Sequence, residues 1–212
     1  MSDPHYKYRP LLDLIGFTEG TDKGRGYNET LAYGAYTGGD VNLVTMSIRE
    51  IEALQTKMLA HPKNTWNSSA IGRYQIVRTT LRKIRKALKV SLNDKFDEAM
   101  QDRMACYLLY YRGIDDYIAG KLATNTMITN LAKEWASFPT PNGTGYYGNQ
   151  SKTPISPGRV KVALEQCKML ANKPTQPSTP VSKPVSPPII TKKPTPKGKS
   201  LLTMFLSLFR RA

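Results

Sequence analysis

After Pro10 the apolar residues Leu11, Leu12 and Ile15 recur at helical spacing, and the next position on the same stripe, one i,i+4 step beyond Ile15, is Glu19. Proline suits the first turn of a helix and glycine the position just past its end, so the pattern predicts a helix from Pro10 that stops at Gly20. A surface glutamate would lie opposite the apolar stripe; Glu19 continues it. The stretch from Gly20 to Val44 is rich in Gly, Tyr, Asn and Thr and reads as irregular loop with short strands. Ser47 and Glu50 have the spacing of a capping box ahead of Ile51, Leu54 and Met58, which predicts a helix over 47–61. NTWNSSAIGRYQIV is turn-rich and runs into a short β pattern.

A series of short amphipathic helices follows. TTLRKIRKALK puts Leu81, Ile84 and Leu88 on one face and its Arg/Lys residues on a solvated one, and KFDEAMQDRMACYLLYYRG, DDYIAGKL and TMITNLAKEWASF continue the series. In these segments Tyr107, Tyr110, Tyr111 and Trp135 read as packing residues, and Trp66 reads as core more readily than as a sugar platform. Pro139 stops the last of the series and opens the polar loop PTPNGTGYYGNQSKTP. Ser156 and Pro157 then start a final helix through Ala171, with Val160, Ala163, Leu164, Cys167 and Leu170 facing inward. The expected fold is therefore mainly α, an α+β arrangement with a helical lobe and a small β-hairpin lobe, over 1–172.

Beyond that body the text changes. Eight prolines fall between Pro174 and Pro196 with no acidic or aromatic residue among them, the signature of an extended linker over 173–200. The chain then reads LLTMFLSLFRRA over 201–212, apolar except for Thr203 and Ser207 and flanked by cations. Of the 31 Lys and Arg residues, eight lie from Lys173 onward, together with none of the 16 Asp and Glu, so more than half of the net charge of +15 belongs to the tail. A basic protein is drawn to polyanions, and charge alone does not choose between nucleic acid, anionic lipid, lipopolysaccharide and wall polymers. No nucleic-acid-reading motif is recognisable. The segment 201–212 suits an interfacial helix on an anionic membrane or lipopolysaccharide surface, and docking on a partner protein is its other reading.

Two cysteines (Cys106, Cys167) and two histidines (His5, His61) show no ligand spacing, so neither a metal nor another cofactor is expected; both cysteines fall on apolar helix faces, as reduced buried thiols do. Asp3, Pro4 and Pro10 interrupt the apolar core that a signal peptide needs, which predicts synthesis in the cytoplasm without a cleaved leader.

Three motifs in order, the helix end TEGTDKGR, the hairpin-like SSAIGRYQI and the late segment EWASFP, resemble the phage lambda-type endolysins of the lysozyme superfamily. The resemblance spans roughly residues 11–150. It implies an enzyme acting on peptidoglycan glycan strands at the cell wall, after release or export, and cutting the β-1,4 bond between N-acetylmuramic acid and N-acetylglucosamine; a monomer is expected. It also implies that Glu19 is the catalytic acid and that the hairpin around Gly72, Arg73, Tyr74 and Gln75 forms the opposite cleft wall. Tyr74 is then a candidate for stacking on a sugar face and Gln75 for bonding N-acetyl groups or orienting Glu19. Tyr146 and Tyr147, in a glycine-flanked loop, are further candidate sugar contacts.

Glycoside cleavage needs a carboxylic acid that stays protonated near neutral pH, and desolvation beside apolar groups supplies it, which suits Glu19 at the end of its stripe. A two-carboxylate hydrolase needs a second acid, and Asp22 and Glu29 are the candidates in the following loop. A lytic transglycosylase needs only Glu19, and the resemblance favours it. The plainer readings are a helix-end Glu19 paired with Arg25 or Arg73, an Asx-turn at Asp22 and a solvated Glu29. At the level of function, the alternative is a non-catalytic basic glycan- or envelope-binding protein with a membrane-active tail.

Overall fold

The computed structural model describes Asp3, residues 5–148 and residues 153–173. Apart from Lys173, the proline-rich linker over 173–200 and the apolar segment 201–212 lie outside the described residues. Seven α-helices occur among the described residues: α1 (Arg9–Thr18), α2 (Ile48–Ala60), α3 (Arg78–Leu88), α4 (Glu98–Tyr111), α5 (Ile114–Ile118), α6 (Thr124–Glu134) and α7 (Pro157–Ala171).

The boundaries follow from local chemistry. In α1, Pro10 sits in the first turn and Gly20, with a φ of 75° open to a residue without Cβ, terminates the helix. The capping box at α2 is complete: Ser47 accepts from the Glu50 amide while the Glu50 carboxylate accepts from the Ser47 amide at 2.6 Å. Asp97 and Ser156 cap α4 and α7 more simply, their side chains accepting from the Met100 and Arg159 amides. Trp135, expected on the helix face of Ile128 and Leu131, is the first residue past α6 and has extended backbone.

Helix α4 runs through the centre and buries residues on most of its circumference, from Gln101 to Leu109. Around it Leu11, Leu12 and Ile15 of α1, Ile51 of α2, Leu81 and Ile84 of α3, Leu131 of α6 and Leu164 of α7 are all fully buried. Helix α1 lies along α7, so the first and last helices close the domain on one side. Cys106 and Cys167 are buried free thiols. Tyr107 packs half-buried on the core, whereas Tyr110 and Tyr111 correct the packing reading: in the last turn of α4 they are 64% and 70% exposed. No helix among the described residues is long and apolar enough to cross a membrane.

The expected β-hairpin lobe does not form. Only isolated bridges occur in its place, Thr30 with Ile71 and Ile71 with Ile76, besides Ser47 with Lys95. Ile71 and Ile76 exchange both backbone bonds around a tight turn, but no ladder extends from it. Helix α3 starts at Arg78, where the next rung opposite Ser69 would form, and the Arg78 amide donates to the Ser69 hydroxyl at 3.0 Å; side chains satisfy further backbone groups around the turn. Buried Gln55 of α2 donates its amide to the Ser69 and Ile76 carbonyls at 3.0 and 2.9 Å. Buried Gln101 of α4 accepts from the Arg73 amide and donates to the Tyr27 and Phe96 carbonyls, each at 3.0 Å. Side-chain amides from two helices thus brace the turn, and the chain enters α3 directly after Val77.

Candidate active site

The C-terminal end of α1, the turn of residues 71–76, the start of α3 and the segment after α6 converge on a cleft of about 620 Å³. Glu19 lies in it, delivered there by the apolar stripe of α1: because Leu11, Leu12 and Ile15 must face the core, the residue one turn past Ile15 must lie at the core's edge. Its amide still donates to the Ile15 carbonyl at 2.8 Å, so the carboxyl hangs from the last helical hydrogen bond.

Neither Arg25 nor Arg73 pairs with Glu19. Arg25 reaches Asp40 at 3.5 Å, and Arg73 makes a two-pronged pair with Asp22 at 2.8 and 3.1 Å and a further bond to Asp13 at 3.0 Å. The partner of Glu19 is Ser137, whose hydroxyl lies 2.6 Å from its Oε1 and in turn 3.0 Å from the Thr18 hydroxyl. Desolvation pushes the Glu19 carboxyl up to about 7, and the Ser137 hydrogen bond opposes that rise only in part. The carboxyl is thus an acid that still holds a proton near neutral pH.

The other candidates separate. Asp22 lies against Arg73 and faces a groove between α1 and α7, outside the cleft, instead of forming an Asx-turn. Glu29, read as a solvated loop residue, is 1% exposed and accepts from the Arg25 and Thr30 amides, both at 3.0 Å. It ties its own loop together. Tyr74, a candidate for stacking, has its ring in the core, 1% exposed and edge-on to Tyr27, and its hydroxyl bonds the buried Asp102. Asp102 also accepts from Tyr27 at 2.7 Å and Arg9 at 2.8 Å, so the base of this wall is a satisfied polar cluster.

Gly72 lies beneath the turn with a φ of 73°, and a Cβ there would meet Gln101 Oε1 at 2.3 Å. Gln75, also in left-handed backbone at a φ of 49°, lines the cleft; its Nε2 donates to the Gly72 carbonyl at 2.9 Å, and its buried Oε1 has no protein partner. Tyr147 lines the far side, about 40% exposed, its hydroxyl donating to the Lys133 carbonyl at 2.7 Å. Tyr146 stacks edge-on to it with a centroid distance of 5.1 Å and is not itself part of the cleft lining.

Several cleft residues were not singled out from sequence. Ser137 is separated from Glu19 by 118 positions and no spacing rule links them, although it lies within EWASFP. Glu134 and Arg112 line the cleft as an ion pair at 2.7 Å, and Lys133 and Arg78 add cations to its rim. Trp66, read as core, is only partly buried and contributes to the lining; Trp135, buried as expected, also borders the cleft and donates to the Tyr74 carbonyl at 3.3 Å.

Comparison with protein families matches the chain to the family described as Endolysin over residues 9–160. That stretch includes every element lining the cleft. No curated protein and no solved structure matches the chain.

Proposed function

The chain belongs to the endolysin family, enzymes that break down the peptidoglycan of the bacterial cell wall, and on that premise we propose that it cleaves the β-1,4 bond between N-acetylmuramic acid and N-acetylglucosamine by lytic transglycosylation, with Glu19 as sole acid and base. One observation carries this reading. Among the described residues two carboxylates line the cleft, and Glu134 is held by Arg112 while Glu19 is held by a hydroxyl alone. Asp22 and Glu29, the other candidates for a second catalytic acid, are engaged elsewhere.

In this mechanism neutral Glu19 donates its proton to the glycosidic oxygen as the bond to the muramic acid anomeric carbon breaks. The resulting carboxylate faces the positive charge that develops on the ring. The C6 hydroxyl of the same muramic acid then attacks its own anomeric carbon, and Glu19 takes up the hydroxyl proton, which restores the acid. The product is a 1,6-anhydro sugar, and no water is consumed. Gln75, with an acceptor oxygen left open in the cleft wall, suits an N-acetyl N–H, and Tyr147 suits a sugar face.

Mass spectrometry of the fragments released from purified peptidoglycan tests this directly. Fragments ending in 1,6-anhydro-muramic acid are expected; free reducing ends, heavier by one water, would refute the single-acid route. Glu19→Gln is expected to lower release by at least about 100-fold while leaving the circular dichroism spectrum unchanged.

For the segment 201–212 the proposed role is attachment to an anionic membrane or lipopolysaccharide surface. Its composition, seven large apolar residues within 201–209 followed by Arg210 and Arg211, supports that reading.

A further inference from the structure

The surroundings of Ser137 raise a question of proton counting. Ser137 and Thr18 are each 2% exposed, so water does not complete their hydrogen bonding. Three oxygen-to-oxygen contacts join them in a row: Glu19 Oε1 to Ser137 Oγ at 2.6 Å, Ser137 Oγ to Thr18 Oγ1 at 3.0 Å, and Thr18 Oγ1 to the Ile15 carbonyl at 3.1 Å. Each contact needs one hydrogen, and the two hydroxyls supply two. When Glu19 is neutral its own hydrogen is the third, and the row is complete running inwards, from Glu19 to Ser137 to Thr18 to the carbonyl. When Glu19 is ionised the row turns round, with Thr18 donating to Ser137 and Ser137 to the carboxylate. The Ile15 carbonyl then keeps the Glu19 amide, at 2.8 Å, as its donor. Neither direction leaves a buried group without a partner.

We propose that Ser137 and Thr18 form a reversible hydroxyl chain that gives Glu19 a hydrogen-bond partner in both of its protonation states. They are positioning residues for a reaction that asks one carboxyl to be first an acid and then a base. The inference rests on the acid and base reading of Glu19 given above. A single fixed donor such as a backbone amide would serve only the carboxylate, and a fixed acceptor only the acid; a hydroxyl backed by a second hydroxyl serves both.

The other titratable or charged groups that line the cleft among the described residues are Arg78 at the start of α3, Arg112 just past α4, Lys133 and Glu134 in α6, and the tyrosines Tyr74 and Tyr147. Arg112 and Glu134 neutralise each other, and the Tyr74 hydroxyl is held by Asp102. No cation forms an ion pair with Glu19 among the described residues, so the hydroxyl chain is the polar contact that answers its change of charge.

A hydrogen bond to a carboxylate is stronger than one to the neutral acid, so losing the chain penalises the ionised form more. The test is the pH profile of peptidoglycan cleavage by the full-length protein carrying Ser137→Ala, Thr18→Val or Thr18→Ser, with Glu19→Gln beside them. Ser137→Ala is expected to move the alkaline limb upward by about one pH unit and to lower the maximal rate roughly tenfold. Thr18→Val, close in shape to threonine, is expected to move the limb the same way by less, and Thr18→Ser, which restores the hydroxyl, to match the wild type. Profiles that superimpose on the wild type, move to lower pH, or lose rate without moving would overturn the chain. If Ser137→Ala does not fold, the Thr18 pair decides alone. Cleavage by Glu19→Gln would instead overturn the assignment of Glu19 itself, a result that the hydroxyl variants cannot imitate.

Discussion

Glu19 combines two demands that conflict. A helix end beside Leu12 and Ile15 is a poor place for a charge, and that is the property which keeps the proton on the acid up to about pH 7. The sign of the effect on stability follows. The unfolded chain releases this proton near the ordinary 4.5, whereas the folded protein holds it to about 7. The stabilisation is therefore fully present below pH 4.5 and is lost as the pH rises through 7, by an amount on the order of 3 kcal/mol. Glu19→Gln, which cannot ionise, is expected to melt several degrees higher than the wild type at pH 8 and at the same temperature at pH 4, as calorimetry at the two pH values would reveal. Cleavage by the wild type, which needs the neutral acid, is expected to decline above pH 7 in initial rates of turbidity loss. Glu19 was legible in the sequence because helical periodicity fixes which face a residue shares. Ser137 was not, because its role depends on where α6 ends relative to α1.

At the level of elements, the turn of residues 71–76 shows how pattern and structure diverge. The residues around GRYQ have the look of a hairpin, and Ile71 and Ile76 do pair, but at the next rung Gln55 takes the Ser69 carbonyl, the Ser69 hydroxyl takes the Arg78 amide and α3 begins. Buried polar side chains on helices cannot be assigned partners from periodicity, so the loss of the strand lobe was invisible in the sequence. Gly72 is the hinge of the arrangement. A Cβ there would require both a left-handed alanine and displacement of Gln101, so Gly72→Ala is expected to destabilise the domain by roughly 2–3 kcal/mol. Because Gln75 is anchored on the Gly72 carbonyl, cleavage is expected to fall as well. Urea unfolding and peptidoglycan assays on the same preparation would measure both. A variant as stable and as active as the wild type would contradict this account of the turn.

For the whole molecule, charge divides the labour between body and tail. Among the described residues all that line the cleft belong to the helical body, whereas eight cations and no acidic residue lie from Lys173 onward. Deleting residues 173–212 is therefore expected to leave the rate on purified peptidoglycan unchanged and to reduce sedimentation with vesicles containing anionic lipid, more so at low salt. Equal vesicle binding with and without the tail would refute the attachment role. Within the body, α7 packs against α1 and ends at Ala171, before the linker begins.

The sequence by itself determined the helical segments, the starts of α1, α2 and α7, most of the inward faces and the place of Glu19 at the end of an apolar stripe, together with the likeness to endolysins that the family match bears out. These are properties of neighbours in the chain, set by 3.6-residue periodicity and by capping chemistry that acts over three or four positions. Tertiary structure alone decided which carboxylate lines the cleft without a cation to pair it among the described residues. Asp22 is drawn to Arg73 across 51 positions, Glu29 folds back on nearby amides and Glu134 meets Arg112, so that Glu19 is left with Ser137 from the far end of the body. Pairing of charges and hydroxyls depends on distances in space, and for the buried Glu29 and Ser137 it is also compulsory, because a desolvated polar group must find its partner inside the protein.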